Sequence, residues 1–338
     1  MNREFVGRNS ELNLLDELWS REQATLLILY GRRRVGKTRL LTHWIQQSGR
    51  RALYWVAEPS SAFDQLRSFS QAIYNFAHPD APAPPEFAYA TWEQAWQQVA
   101  SLAGQARLAL FVDEFTYLLE VDPGIAGKLQ NLWDHHLSRS NLALVLCGSH
   151  LGMMQRHLLS YQAPLYGRAT AQMRLQPLPF GVTSAYFPNY DADERVAIYA
   201  MWGGIPAYWE RLNAAQSISD NIRRELLTPN NLMQAEPRLL LQDFVNDPHN
   251  YVGILRDCQQ RAPKRDSHLY GTGSRSRIAI HQHAARCRLC GPPRTGDAVH
   301  TFTPGALSHY RSLFALLLSL SGHPAGATSI GHSRSGTG

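Results

Sequence analysis

Apolar residues follow two spacings along the first half of the chain. Ala24–Tyr30, Leu108–Val112 and Leu142–Cys147 are short, nearly unbroken apolar runs, the pattern of strands covered on both faces. Ala52–Val56 reads as a further strand. Elsewhere the apolar positions recur at helical spacing, as with Leu12, Leu15 and Leu18 in Glu11–Ser20. Helices are predicted over Thr38–Gln47, Leu66–Phe76, Trp92–Ala103 and Gly127–Leu137, with a Pro-rich loop at Pro79–Pro85. Strands alternating with helices predict an α/β protein built on a three-layer parallel sheet. From Asp193 to about Leu240 the pattern is mostly helical and predicts a small subdomain of its own.

Composition narrows the classes. The chain has 338 residues, 44% hydrophobic and 18% charged, which fits about two folded domains and excludes wholesale disorder, collagen and coiled coil. There is no run of about 18 apolar residues, so no membrane span is expected. Met1-Asn2-Arg3-Glu4-Phe5 has no apolar signal core. Four cysteines do not make a disulfide scaffold, and a reducing, cytoplasmic setting is the expectation.

The net charge of +6 invites a nucleic-acid reading, but its distribution argues otherwise. Residues 1–256 carry 23 basic and 24 acidic residues, a balance of −1. Residues 257–338 carry 10 basic and 3 acidic residues, a balance of +7. All eight Trp and all six Met precede the break, and the last 82 residues contain no Glu or Asn.

Gly31-Arg32-Arg33-Arg34-Val35-Gly36-Lys37-Thr38 satisfies G-x-x-x-x-G-K-[ST] between a predicted buried strand and a predicted helix. Polyphosphate has to be wrapped by backbone N–H groups, and glycine lets the chain approach closely. Lys37 would reach the β- and γ-phosphates and Thr38 would ligate Mg²⁺, with Arg39 next in the following helix. Leu108–Val112 ends in Asp113-Glu114. At the carboxyl end of a strand, where α/β sheets bind ligands, Asp113 would serve Mg²⁺ and Glu114 would polarise the attacking water. Ser149, after Leu142–Cys147, is either a polar contact to the γ-phosphate or lytic water, or the N-cap of a helix at Leu151. Arg168 is placed near the ligand edge of the sheet, either as a finger acting in cis or on a neighbour, or as an ordinary surface arginine.

Taken in order, these segments resemble the archaeal-type P-loop ATPases of the signal-transduction (STAND) branch, related to AAA+ ATPases. The resemblance is carried by Phe5-Val6-Gly7-Arg8 with Glu11-Leu12, by Tyr30 through Thr38, and by Val112-Asp113-Glu114-Phe115. Leu129-Gln130, Trp133-Asp134, Cys147-Gly148-Ser149, Met153-Met154 and Pro164-Leu165-Tyr166-Gly167-Arg168 follow, then Leu178-Pro179-Phe180 and Gly203-Gly204-Ile205-Pro206-Ala207-Tyr208. It spans roughly residues 3–256.

The resemblance implies an ATPase domain over 1–175 and a helical lid over 176–256. It implies Val6-Gly7-Arg8 on the adenine side and Gly204 and Pro206 touching nucleotide from the lid. Read without it, Gly203–Pro206 is also a helix-breaking turn. The expected activity is a nucleotide-controlled switch: ATP and Mg²⁺ bound, slow hydrolysis, and contact with a protein partner or a second copy. The second reading is a DNA-binding regulator with a structural ATPase core, which needs a winged helix.

A winged helix is supplied by a shifted reading frame. Moving the tail by one nucleotide lets Arg277–Asp297 encode VSQYISTLRDAGFVDRRVPVT, the pattern of a recognition helix and wing. Phe302–Ser321 can encode SRLGRYHITDPYLRFYYRFL in the same frame, given a suitable choice among degenerate codons. Residues 257–338 are thus expected to be an out-of-frame, unstructured remnant of a winged-helix and C-terminal region. On that reading the metal-like set His281, His283, Cys287 and Cys290 is accidental.

Overall fold

The computed structural model describes residues 5–229, 231–234 and 236. The chain divides into two compact units, Met1–Leu232 and Met233–Gly338, and the elements below lie in the first. Residues 257–338, with the expected out-of-frame tail, lie outside the described residues.

Five parallel strands form one sheet in the order β2-β3-β4-β1-β5. They are β1 (Thr25–Tyr30), β2 (Ala52–Val56), β3 (Leu108–Asp113), β4 (Leu142–Gly148) and β5 (Ala171–Arg174). β1, β3 and β4 are central, and helices cover both of their faces, which is why these strands read as unbroken apolar runs. On one face, Leu26, Ile28, Leu110, Val112, Leu144 and Leu146 pack with Phe69, Trp96 and Leu129. These come from α3 (Ala62–Ala77), α4 (Trp92–Gln105) and α6 (Ile125–His135). On the other, Leu27, Leu29, Phe111, Val145 and Cys147 pack with Leu15 and Leu18 of α1 (Asn9–Ser20) and with Leu40, Leu41 and Trp44 of α2 (Lys37–Ser48). Each fully buried leucine or isoleucine here contributes about 2 kcal/mol relative to an exposed one.

Local signals set the helix ends. Ser61 accepts a hydrogen bond from the Asp64 amide to start α3, and Thr91 does the same for Gln94 at α4. Gly49, at φ 59°, ends α2 in the left-handed conformation. α5 (Thr116–Val121) and α7 (Leu151–Met154) are short turns after β3 and β4.

β5 was not anticipated. Ala171-Gln172-Met173-Arg174 alternates, and only Met173 is buried, because an edge strand has one face and one side open. Beyond it come α8 (Thr183–Tyr186), α9 (Ala192–Trp202), α10 (Pro206–Trp209) and α11 (Ile218–Ile222). Asp191 and Glu194 form a reciprocal capping box at the start of α9. These helices gather around Phe187 and Trp209, both buried, with Tyr186, Tyr190 and Tyr199 in ring contact. No helix of the described residues is long and apolar enough to cross a membrane.

Candidate nucleotide site

The loop between β1 and α2 is held in a strained, pre-set form. Arg34 and Gly36 both have positive φ, 67° and 98°, a backbone type in which successive N–H groups converge on an anion. At Gly31 a Cβ would lie 2.7 Å from the Leu175 carbonyl oxygen, so glycine is required by close approach to the chain leaving β5. Lys37 is only 5% exposed, and its Nζ donates to the carbonyls of Gly31 at 2.8 Å and Arg32 at 3.0 Å. The ammonium is thereby fixed under the loop with its charge unneutralised by any carboxylate among these bonds.

Thr38, on the first turn of α2, donates from Oγ1 to Asp113 Oδ2 at 2.6 Å. Asp113 closes β3 and is buried; its Oδ1 accepts the Glu114 amide at 2.9 Å. Burial alone would push the Asp113 carboxyl up. Hydrogen bonds from Thr38, Tyr54, Cys147 and the Glu114 amide outweigh burial and hold the carboxyl below the usual carboxylate range. Cys147, directly beneath on β4, is pushed well up by burial and by Asp113, so it stays a neutral thiol.

Glu114 turns the chain with φ 50°, a left-handed conformation that costs a side-chain-bearing residue of order 1 kcal/mol. The turn is fixed by the Phe115 amide on the Cys147 carbonyl, 2.8 Å. Its carboxylate receives the Ser149 hydroxyl on Oε2 at 2.8 Å. The N-cap of α7 is His150, whose ring accepts the Met153 amide, so Ser149 is not spent as a cap.

Lys37, Thr38 and Glu114 line an open cleft of about 580 Å³ with Arg33, Arg34, Gly36, Arg39, Thr42 and Tyr117, a size suited to a small-molecule ligand. Pro206, Ala207 and Glu210 form its other wall. Pro206 lies over Gly36, Glu210 pairs with Arg39, and Tyr208 hydrogen-bonds the Arg32 side chain. The Tyr208 phenol, near Arg34 as well, is still pushed up by its burial. The donor set fits a hard cation: Thr38 and Asp113 present only oxygen.

Gly204, the Val6–Arg8 segment and Arg168 lie outside the lining of this cleft. Gly204 is not in the cleft wall: a Cβ there would lie 1.9 Å from the Leu178 carbonyl oxygen, and Leu178 N donates to Gly204 O at 2.7 Å. Its glycine serves this backbone contact, and Gly203–Ile205 is the turn between α9 and α10. Val6, Gly7 and Arg8 are not in this wall either. Gly7 abuts Leu178 and Val182, while Arg8, at φ 68°, braces the loop from behind through the Val35 carbonyl at 3.1 Å and Glu11 at 3.0 Å.

The placing of Arg168 at the ligand edge is corrected. It precedes β5, whose first residue pairs with Leu27, so it lies at the amino ends of the strands, opposite the phosphate loop. There Asp134 takes its Nε and Nη2 at 2.8 Å each, and Pro164 O takes Nη1 at 3.1 Å. A cis action on this chain's own cleft is incompatible with that position.

Sequence reasoning missed Tyr54, Cys147, Tyr208 and Glu210. Tyr54 stood only as a residue of a predicted strand, Ala52–Val56; its place beside Asp113 comes from the β2–β3 pairing. The others depend on which segments fold against the loop. Among the described residues no group of three or more His, Cys, Asp or Glu is placed to hold a metal; the His281–Cys290 set lies outside them.

A central parallel sheet, a G-x-x-x-x-G-K-T loop on β1 and an acidic pair on β3 define a P-loop nucleoside triphosphatase fold. Residues 5–212 match the family of ATPase domains found predominantly in Archaea, and the chain belongs to that family. It is 29% identical over 251 residues to the uncharacterised protein MJECL04 of Methanocaldococcus jannaschii, covering 74% of this chain and 53% of that protein. The chain thus spans about half the length of that relative. A 42-residue stretch is 50% identical to MJ0423, an ATP-binding protein of the same organism, covering 12% of this chain and 71% of that one. Among solved structures, a Walker-type ATPase of Pyrococcus abyssi superposes with a TM-score of 0.53 at 19% identity, over 76% of this chain and 80% of that chain.

Proposed function

We propose that this chain binds ATP with Mg²⁺ in the cleft, hydrolyses it slowly, and uses the α8–α11 segment as a lid that reports occupancy. The observation that carries the reading is the chain of contacts Lys37–loop–Thr38–Asp113–Glu114–Ser149, which sets Lys37, Thr38 and Glu114 in one cleft. Lys37 and the loop amides hold the phosphates. Thr38 donates its proton to Asp113, which leaves its lone pairs for the cation, and Asp113 remains anionic to attract it. A bound Mg²⁺ supplies charge neutralisation on the β- and γ-oxygens. Glu114 accepts the proton of the attacking water, and Ser149 fixes one of its oxygens so that the other faces the cleft.

The lid touches the loop at Pro206 and Tyr208 and the first turn of α2 at Glu210, so filling the cleft acts on all three contacts together. Arg168, remote from its own cleft, acts on the cleft of a second copy. ATP and a second copy of the chain are thus the partners we assign. DNA enters only as the second reading, on the strength of the shifted-frame text for residues 277–297, in a chain where that frame is restored.

The test is steady-state phosphate release with Mg²⁺ and with EDTA. Turnover that needs Mg²⁺ and is lost in Glu114→Gln supports the assignment. Turnover unchanged by Glu114→Gln contradicts it.

A further inference from the structure

We propose that Tyr54 is a positioning residue for the cation site: it holds the Asp113 carboxylate so that the Mg²⁺–nucleotide complex is captured. This rests on the ATP·Mg²⁺ reading above. Tyr54 lies on β2 opposite Phe111 of β3, so it shares a sheet face with Phe111 and Asp113 and is a diagonal neighbour of the carboxylate. Its hydroxyl donates to Asp113 Oδ2 at 2.5 Å. Thr38 donates to the same oxygen, and the Glu114 amide holds Oδ1.

The donors differ in what a cation asks of them. Thr38 would itself be a ligand, so its hydroxyl is committed to the cation as well as to Asp113. The Glu114 amide belongs to the turn that aims the catalytic carboxylate. Tyr54 has neither duty; its phenol also hydrogen-bonds Thr38. Tyr54 is also neutral. A lysine or arginine in its place would fix the carboxylate equally well but cancel the charge that attracts a divalent cation. The Tyr54 ring is tilted against Phe111 with centroids 6.4 Å apart, which limits the hydroxyl's freedom to swing away.

Removing this donor leaves the carboxylate freer to rotate and weakens capture of the cation, with the phosphate contacts of Lys37 and the loop left in place. The experiment measures the affinity of a fluorescent ATP analogue with Mg²⁺ and with EDTA. It compares the full-length parent, Tyr54→Phe and the control Tyr161→Phe, whose ring is 84% exposed. The ratio of the two affinities should fall roughly tenfold in Tyr54→Phe, the scale of one hydrogen bond to a charged group, and stay at the parent value in Tyr161→Phe. Mn²⁺ bound in the nucleotide complex, counted by electron paramagnetic resonance, should fall in parallel.

A parent that gains affinity with Mg²⁺ and a Tyr54→Phe variant that gains as much overturn the role of Tyr54 while leaving the ATP·Mg²⁺ reading intact. Equal loss with and without Mg²⁺ also overturns it, since that marks a general structural defect. A parent with no Mg²⁺-dependent gain overturns both.

Discussion

Ser149 Oγ donates to Glu114 Oε2 at 2.8 Å, across the gap between β4 and the turn that follows β3. The contact joins the two residues proposed to handle the attacking water, and it leaves the second carboxylate oxygen uncommitted to Ser149. Glu114→Gln keeps the shape and removes the basicity. It should bind the ATP analogue like the parent while turnover falls by roughly 10²–10⁴-fold. Ser149→Ala should cost less, on the order of tenfold, because Glu114 keeps its charge and loses only its orientation. Single-turnover phosphate release distinguishes the two.

The bidentate Asp134–Arg168 pair lies at the amino ends of the strands, away from the chain's own cleft. Action on a neighbouring copy is therefore testable by mixing. Arg168→Ala and Glu114→Gln, each weak alone, should recover turnover together, because a mixed assembly pairs an intact Glu114 with an intact Arg168. Additive, unrescued rates across the mixing ratio would assign Arg168 to its pair with Asp134 alone.

Gly204→Ala drives a methyl group against the Leu178 backbone. The clash cannot be relieved by a side-chain rotation, so the α9–α10 turn has to shift. Loss of about 2–3 kcal/mol is expected, the scale of overpacking at a tight contact. Thermal unfolding should show it with and without nucleotide. Lost nucleotide affinity at unchanged stability would instead return Gly204 to the cleft.

How legible was this arrangement beforehand? The central strands, the phosphate loop and the acidic pair were readable because each is local. An apolar run, a loop with two glycines and a carboxylate pair all follow from adjacent residues. β5 was not readable, since a four-residue edge strand with one buried side chain carries almost no pattern. That single omission misplaced Arg168, whose end of the sheet is known only once β5 is paired with β1. The turn at Gly203–Pro206 was readable, but the requirement for glycine at 204 was not, because Leu178 meets it through the backbone. Tyr54 shows the same limit: its meaning lies in the β2–β3 register.

The charge split at residue 256 and the shifted-frame text make a prediction about the gene. A one-nucleotide insertion or two-nucleotide deletion near codon 256 is expected. Restoring the frame should leave the encoded winged-helix text uninterrupted. Sequencing the gene checks this directly, and stop codons scattered through the shifted frame would refute it.

The central claim is that the Lys37 loop binds ATP. Titration of the full chain with a fluorescent ATP analogue in Mg²⁺, parent against Lys37→Ala, tests it most directly. The account predicts saturable binding by the parent, displaced by unlabelled ATP, and binding by Lys37→Ala reduced at least a hundredfold, on the order of 3 kcal/mol for a lost buried charge contact. Equal affinity in the two proteins would contradict it.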